Sequence, residues 1–114
     1  MSRIAGLGMD LIDLDRVRQA LQKNGEAFAL RICTPDEWAY CRKHADPVPS
    51  LAARFAAKEA VIKAMHGIRE LTLSEVEILA DEQGAPFCTL PGVQVSIAHE
   101  REYAIAYALV EANG

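Results

Sequence analysis

Arg54-Phe55-Ala56-Ala57-Lys58-Glu59-Ala60-Val61-Ile62-Lys63-Ala64 decides the reading of this chain. It sits in the longest predicted helix, which Ser50 opens and which runs to about His66, where Gly67 stops it. At about 100° per residue, Glu59 and Lys63 share a face with Ala52 and Ala56, whose small side chains leave both charges approachable. Taken alone, the two are equally an ordinary i,i+4 pair, which contributes only ~0.2–0.5 kcal/mol on a solvated helix. The neighbouring charges argue for more. Arg54 and Lys58 are like charges one turn apart, an unfavourable arrangement without an anion nearby. Lys58 also falls within the apolar stripe of Leu51, Phe55, Ile62 and Met65, where it must snorkel out or find a carboxylate or phosphate. Arg54, Lys58 and Lys63 around one carboxylate suit a metal-bridged polyphosphate.

The N-terminal side reads as strand, helix, turn and helix. Ile4 to Leu11 alternates, with Gly6, Gly8 and Asp10 on one face and Leu7, Met9 and Leu11 on the other. A helix from about Leu14 to Lys23 follows, capped by Asp13 and closed by Asn24-Gly25. Ala27 to Ile32 reads as a short apolar turn. Thr34-Pro35-Asp36-Glu37 is a helix start, with Thr34 as cap, Pro35 in the first turn and Glu37 completing a capping box. Beyond Gly67 the period becomes two. Val76–Leu79, Phe87–Leu90, Val93–His99 and Tyr103–Val110 read as strands joined by turns. The class is α+β, helices packed on a small, mostly antiparallel sheet, in a single domain spanning residues 1–114.

Two further places carry chemistry. Gly6-Leu7-Gly8-Met9-Asp10 resembles half of a dinucleotide fingerprint, but Leu11 stands where a third glycine is needed and the helix begins too late to receive a pyrophosphate. Asp10 instead ends a strand beside two residues without side chains, which leaves room for an ion or phosphate; a simple cap for the following helix is the plainer alternative. In Val95-Ser96-Ile97-Ala98-His99-Glu100, alternation places His99 at a strand end, on the face of Val93, Val95 and Ile97. A histidine there is either structural or able to bind phosphate or relay a proton.

Composition bounds the rest. With 51% hydrophobic and 25% charged residues the chain is globular, and it lacks the ~18 consecutive apolar residues of a membrane span. The N-terminal segment has no long apolar core followed by a cleavage site, so a cytoplasmic location is expected. Cys33, Cys41 and Cys88 are odd in number and fit no metal-ligand spacing, as expected of reduced, buried thiols. A net charge of −4 points away from nucleic acid, yet a local basic patch can still receive an acidic protein. A chain of 114 residues has a thin core, which self-association would strengthen.

Together these segments resemble the holo-[acyl-carrier-protein] synthases, the small single-domain class of phosphopantetheinyl transferases. That family's glycine-x-glycine-x-aspartate-isoleucine is matched by Gly6-Leu7-Gly8-Met9-Asp10-Leu11. Its arginine-phenylalanine-alanine-alanine-lysine-glutamate-alanine, with lysine-alanine following, is matched by Arg54 to Ala60 and Lys63-Ala64. Its valine-serine-isoleucine-serine-histidine is matched by Val95 to His99, and Arg31 to Glu37 looks like its link between helices. The likeness spans nearly the whole chain.

The resemblance implies that Asp10 and Glu59 hold Mg2+, with water and a coenzyme A phosphate completing the shell. It implies that Lys63 contacts the pyrophosphate, that Arg54 and His99 bind coenzyme A phosphates, and that Arg16 docks the acidic helix of apo acyl carrier protein. It also implies a homotrimer with active sites between subunits. The implied reaction is attack of a carrier-protein serine on the pantetheine-side phosphorus of coenzyme A, expelling 3′,5′-ADP, in fatty-acid or related biosynthesis. Such a transfer needs positioning and charge neutralisation, which a magnesium ion and a lysine supply. Lys58 is expected to join the coenzyme A contacts, and Lys23, two turns from Arg16, to join the docking face. A metal-associated water, Glu100 and His99 are all candidates for the general base.

The sequence departs from the family pattern at Ala98, where a hydroxyl residue is usual, and in a shortened stretch from His66 to Gly92. Two rivals share the same residues. One is a non-catalytic homologue that only binds carrier protein or coenzyme A. The other is a magnesium-dependent hydrolase, which would turn over coenzyme A without a carrier protein.

Overall fold

Strand β1 (Ser2–Asp13) and helix α4 (Val48–Ala64) form the axis of the molecule, and glycine explains why they touch. In the computed structural model, which describes residues 2–113, a Cβ added at Gly8 would stand 2.7 Å from Ala64 N and closer still to Ala60 O. One added at Gly6 would stand 3.0 Å from the Ala64 carbonyl carbon and closer still to its oxygen. These glycines are therefore needed for close approach of strand to helix, not for an unusual φ. Met1 and Gly114, the ends of the expected single domain, lie outside the described residues.

The sheet on α4 is antiparallel, with strand order β1, then β5 (Tyr103–Asn113), then β4 (Val93–His99). β5 is central, and its inward residues Ala104, Ala106, Ala108 and Val110 are buried against the helix. Alanine on both surfaces keeps the layers close: Ala56, Ala57, Ala60 and Ala64 of α4 are buried too. The shortened stretch holds a 3₁₀ turn (Leu73–Glu75) and a hairpin of β2 (Ile78–Ala80) with β3 (Pro86–Cys88). Val61, Val76 and Ile78 are fully buried in this core, each side chain contributing ~1.5–3 kcal/mol.

Helices α1 (Leu14–Asn24), α2 (Glu26–Ile32) and α3 (Pro35–Arg42) pack around the N-terminal half of α4 in a second cluster with Leu51 at its centre. Asp13 caps α1 by accepting from Asp15 N at 2.8 Å, and Gly25, at φ 63°, closes it by donating to Leu21 O at 2.7 Å. The capping box forms as expected, with Glu37 N donating to Thr34 Oγ1 at 3.3 Å and Thr34 N to Glu37 Oε1 at 2.7 Å.

Several boundaries differ from expectation. The stretch read as an apolar turn is helical, α2, because its buried residues Ala29 and Ile32 lie one helical turn apart. Helix α4 starts at Val48 rather than Ser50, since Pro49 is tolerated in a first turn and Asp46 Oδ1 accepts from Val48 N at 3.1 Å. β5 and β1 run longer than predicted because they pair along almost their whole length, with a register shift between Ile4 and Gly6.

The outer face of the main sheet is apolar and open. Leu7, Leu11 and Tyr107 are 62%, 57% and 54% exposed, and Ile4, Met9 and Tyr103 accompany them.

Candidate functional site

The glycine contacts bring the middle of β1, through Asp10, beside the last turns of α4, and the strand runs on to Asp13 rather than ending at Asp10. Asp10 Oδ1 accepts from Lys63 Nζ at 2.8 Å, and the same ammonium donates to Met9 O at 3.1 Å. This holds the Lys63 ammonium above its ordinary pKa; its hydrogen bond to Asp10 is the main cause, and the negative charges of Asp10 and Glu59 add to it. Two carboxylates, far apart in sequence, thus act on one cation. Asp10 is partly shielded, with its side chain 18% exposed, Glu59 is half-buried, and Lys63 is open to solvent.

The donor chemistry suits a small hard cation. Carboxylate oxygens are the ligands magnesium prefers, and it keeps several positions for water and phosphate oxygens. Among the described residues no group of three or more His, Cys, Asp or Glu side chains could hold a metal.

The predicted cluster of Arg54, Lys58 and Lys63 around one carboxylate does not form. Lys63 is nine residues from Arg54 on α4, about 180° round the helix. Lys58 is corrected from a coenzyme A contact to an interior tie. It is fully buried, with Nζ 2.6 Å from Glu37 Oε1 and donating to Leu73 O at 3.1 Å. Glu37, also fully buried, accepts from Ile78 N at 2.7 Å through its other oxygen. One capping carboxylate therefore joins α3, α4 and the start of β2. Lys58 has taken the carboxylate option that its place in the apolar stripe offered, and no anion is left to reconcile it with Arg54.

Arg54 faces a cleft of about 370 Å³, lined also by Tyr40, His44, Ser50, Pro86 and His99. Its guanidinium lies over the Tyr40 ring at 4.4 Å, and Nη1 donates to Ser50 Oγ at 2.9 Å. Its Nε is buried, with no hydrogen-bond partner among the described residues. His99 is exposed at the end of β4. The structure thus brings Arg54 and His99 to one cleft, whose lining does not include Asp10, Glu59 or Lys63. Sequence reading missed Tyr40 and Ser50 here. Ser50, four residues before Arg54 on the same helix, was the one legible by spacing.

Arg16 and Lys23 are exposed on α1, and among the described residues neither makes an ion pair. Arg18, by contrast, is held by both oxygens of Asp46, at 3.1 and 2.9 Å. Arg16 borders an apolar groove of about 320 Å³ that contains Leu11, Val17, Phe28 and Phe55. A cation beside an apolar groove suits an amphipathic acidic helix. Among the described residues no helix is long and apolar enough to cross a membrane.

A glycine-faced strand delivering a carboxylate to a helix that carries Lys-Glu and a further lysine defines a class of protein. A family model of the 4′-phosphopantetheinyl transferase superfamily matches residues 6–108, and the chain belongs to that superfamily. Within it the chain is similar to holo-[acyl-carrier-protein] synthases. That of Thermodesulfovibrio yellowstonii is 40% identical over 111 residues, covering 94% of this chain and 98% of the relative. That of Chlorobaculum tepidum is 43% identical over 113 residues, covering 92% and 97%. The crystal structure of the Bacillus anthracis synthase in complex with coenzyme A (3′,5′-ADP) superposes with a TM-score of 0.83 at 31% identity, covering 96% of this chain and 98% of that one.

Proposed function

We propose that this chain is a holo-[acyl-carrier-protein] synthase: it transfers the 4′-phosphopantetheine group of coenzyme A to a serine of apo acyl carrier protein, releasing 3′,5′-ADP. The observation that carries the reading is the meeting of Asp10 and Lys63 beside Glu59, produced by the glycine-faced packing of β1 on α4. Membership of the superfamily and likeness to a solved synthase with coenzyme A bound support the same chemistry.

In this reading Asp10 and Glu59 hold Mg2+, which when bound supplies positive charge at the phosphate under attack. Lys63, oriented by Asp10 and Met9 O, binds a pyrophosphate oxygen and stabilises the charge that develops on the leaving 3′,5′-ADP. Its pKa is raised, so it stays protonated throughout the neutral range. Arg54 and His99 bind further coenzyme A phosphates, and the unpartnered Nε of Arg54 is a donor in want of an anion. Arg16 and Lys23 attract the acidic helix of the carrier protein, and the apolar groove beside Arg16 takes its apolar face.

The same proposal includes a homotrimer, acting in the cytoplasm in fatty-acid or related biosynthesis. The exposed Leu7, Leu11 and Tyr107 support association through the outer face of the sheet, since an apolar patch of this kind is seldom left to water. Three free cysteines suit a reducing compartment.

Incubation with apo acyl carrier protein, coenzyme A and magnesium tests the function. The carrier should gain the mass of one phosphopantetheine group. An unchanged carrier would favour the non-catalytic homologue, and coenzyme A consumed without a carrier would favour the hydrolase.

A further inference from the structure

The Arg54–His99 cleft takes its lining from α3, α4, β4 and the β2–β3 hairpin, which supplies Ala80, Gly84 and Pro86. Among the described residues no strand ladder joins that hairpin to the main sheet. Its own pairs, from Ile78 with Cys88 to Ala80 with Pro86, hold it together as a unit. In its turn Asp81 Oδ1 accepts from Gln83 N at 2.9 Å and from Ala85 N at 2.8 Å. Val76, Ile78 and Cys88 bury their side chains in the core, but apolar contact has no direction and does not by itself fix where such a unit sits.

Directed bonds to the base of the hairpin come from the capping box of α3. Glu37 Oε2 accepts from Ile78 N at 2.7 Å, and Thr34 Oγ1 donates to Glu77 Oε2 at 2.7 Å. The other Glu37 oxygen accepts from Thr34 N at 2.7 Å and lies 2.6 Å from Lys58 Nζ. Lys58 donates also to Leu73 O, in the 3₁₀ turn that leads into the hairpin. Glu37 and Lys58 are both fully buried, so water does not compete for these bonds. Lys58 stands one helical turn from Arg54, so the helix that carries the guanidinium also anchors the hairpin side of its cleft. Two apolar side chains of similar volume would hold the core about as well as this ion pair. What they could not do is accept from Ile78 N.

We propose that Glu37, tied to Lys58, is a positioning residue for coenzyme A: through Ile78 N it sets the β2–β3 hairpin against α4 and so fixes the shape of the Arg54–His99 cleft. Glu37 does not line the cleft. It acts through Ala80, two residues along the strand from Ile78, and through Gly84 and Pro86 beyond the turn. With the acceptor gone, the hairpin samples placements that widen the cleft, and only the fraction still in place binds coenzyme A tightly. The carrier-protein face on α1 and the Asp10–Lys63 contact do not touch the hairpin, so docking and the chemical step are spared.

The clamp on the hairpin stands independently of the proposed function; its effect on coenzyme A rests on that reading. The test is the full chain carrying Glu37→Leu with Lys58→Met, which leaves no buried charge unpaired. KM for coenzyme A should rise about tenfold, the weight of one hydrogen bond to a charged group, while kcat and KM for carrier protein stay the same. Glu77→Ala, which removes only the bond from Thr34 nearer the surface, should raise KM for coenzyme A about threefold with little loss of stability. Gly67→Ala, strained at φ +82° but away from the clamp, should lose stability and keep its KM. Hydrogen–deuterium exchange should quicken about tenfold across residues 78–88 in the double variant, beyond any change in β5. An unchanged KM for coenzyme A in the double variant and in Glu77→Ala, or a matching rise in Gly67→Ala, would overturn the positioning role. Hairpin exchange at the wild-type rate would overturn the clamp. Failure of the wild type to transfer anything would refute the proposed function and leave the exchange result standing.

Discussion

Replacing Gly8 with alanine tests how the fold builds the site. The added Cβ would lie 2.7 Å from Ala64 N, against 3.4 Å where ordinary contact begins, and closer still to Ala60 O. Both obstructing atoms are helix backbone, so neither can swing aside as a side chain would. Relieving the nitrogen contact alone moves β1 off α4 by about 0.7 Å, and the oxygen asks for more, so the strand moves by roughly 1 Å. Asp10 lies two residues further along the strand and moves with it, away from Lys63 and Glu59. A displacement of about 1 Å in a catalytic group costs ~100-fold in rate, and overpacking of this kind costs ~1–3 kcal/mol of stability. Gly8→Ala should therefore lose about 100-fold in kcat/KM for carrier-protein modification while still unfolding cooperatively in urea. Gly67→Ala is the control. It has φ +82° and nothing within 4 Å, so it should lose ~1–2 kcal/mol of stability and keep its turnover. Wild-type turnover in Gly8→Ala, or equal losses of turnover in the two variants, would show that close packing of β1 on α4 does not position Asp10.

Lys58→Met should lose ~3–5 kcal/mol in urea titrations, because it strands the Glu37 carboxylate in the core, and Glu37→Leu added to it should recover most of that loss. A chain of this size is stable by only about 5–15 kcal/mol, so the single variant should unfold at a visibly lower urea midpoint. Arg16→Glu should raise KM for carrier protein and leave KM for coenzyme A unchanged, since it reverses a docking charge on an exposed helix face. Light scattering should give the mass of a trimer for the wild type and of a monomer for Leu7→Asp with Tyr107→Asp, which puts charge on the apolar sheet face.

What was legible in the sequence were features set by neighbours along the chain. Thr34 and Glu37 announce a capping box, Asn24-Gly25 a helix end, and the alternation from Gly6 to Leu11 a strand with one bare face; each depends on a handful of adjacent residues. Helix α2 was missed because seven residues give too little periodicity to tell a helix from an apolar turn. The partner of Lys58 was hidden for another reason. The capping role of Glu37 was plain, but that its carboxylate also reaches across to α4 and β2 is a fact of tertiary packing, which no local pattern encodes. Arg54 and Lys63 were grouped by charge although they lie on opposite sides of α4, and rotation about the helix decides which cleft each one meets. That Asp10 belongs to one site with Glu59 and Lys63 was expected only because three short motifs, in order and spacing, resembled a known family; the direct Asp10–Lys63 bond was not expected.

In the proposed function Asp10 and Glu59 jointly hold one divalent cation. Calorimetric titration of Mn2+ into the protein with 3′,5′-ADP present measures this directly, with no need for turnover. One ion per chain should bind to the wild type, and none to Asp10→Asn or to Glu59→Gln, with the unfolding temperature of both variants preserved. A single ion bound with undiminished affinity by either variant would contradict shared ligation by Asp10 and Glu59.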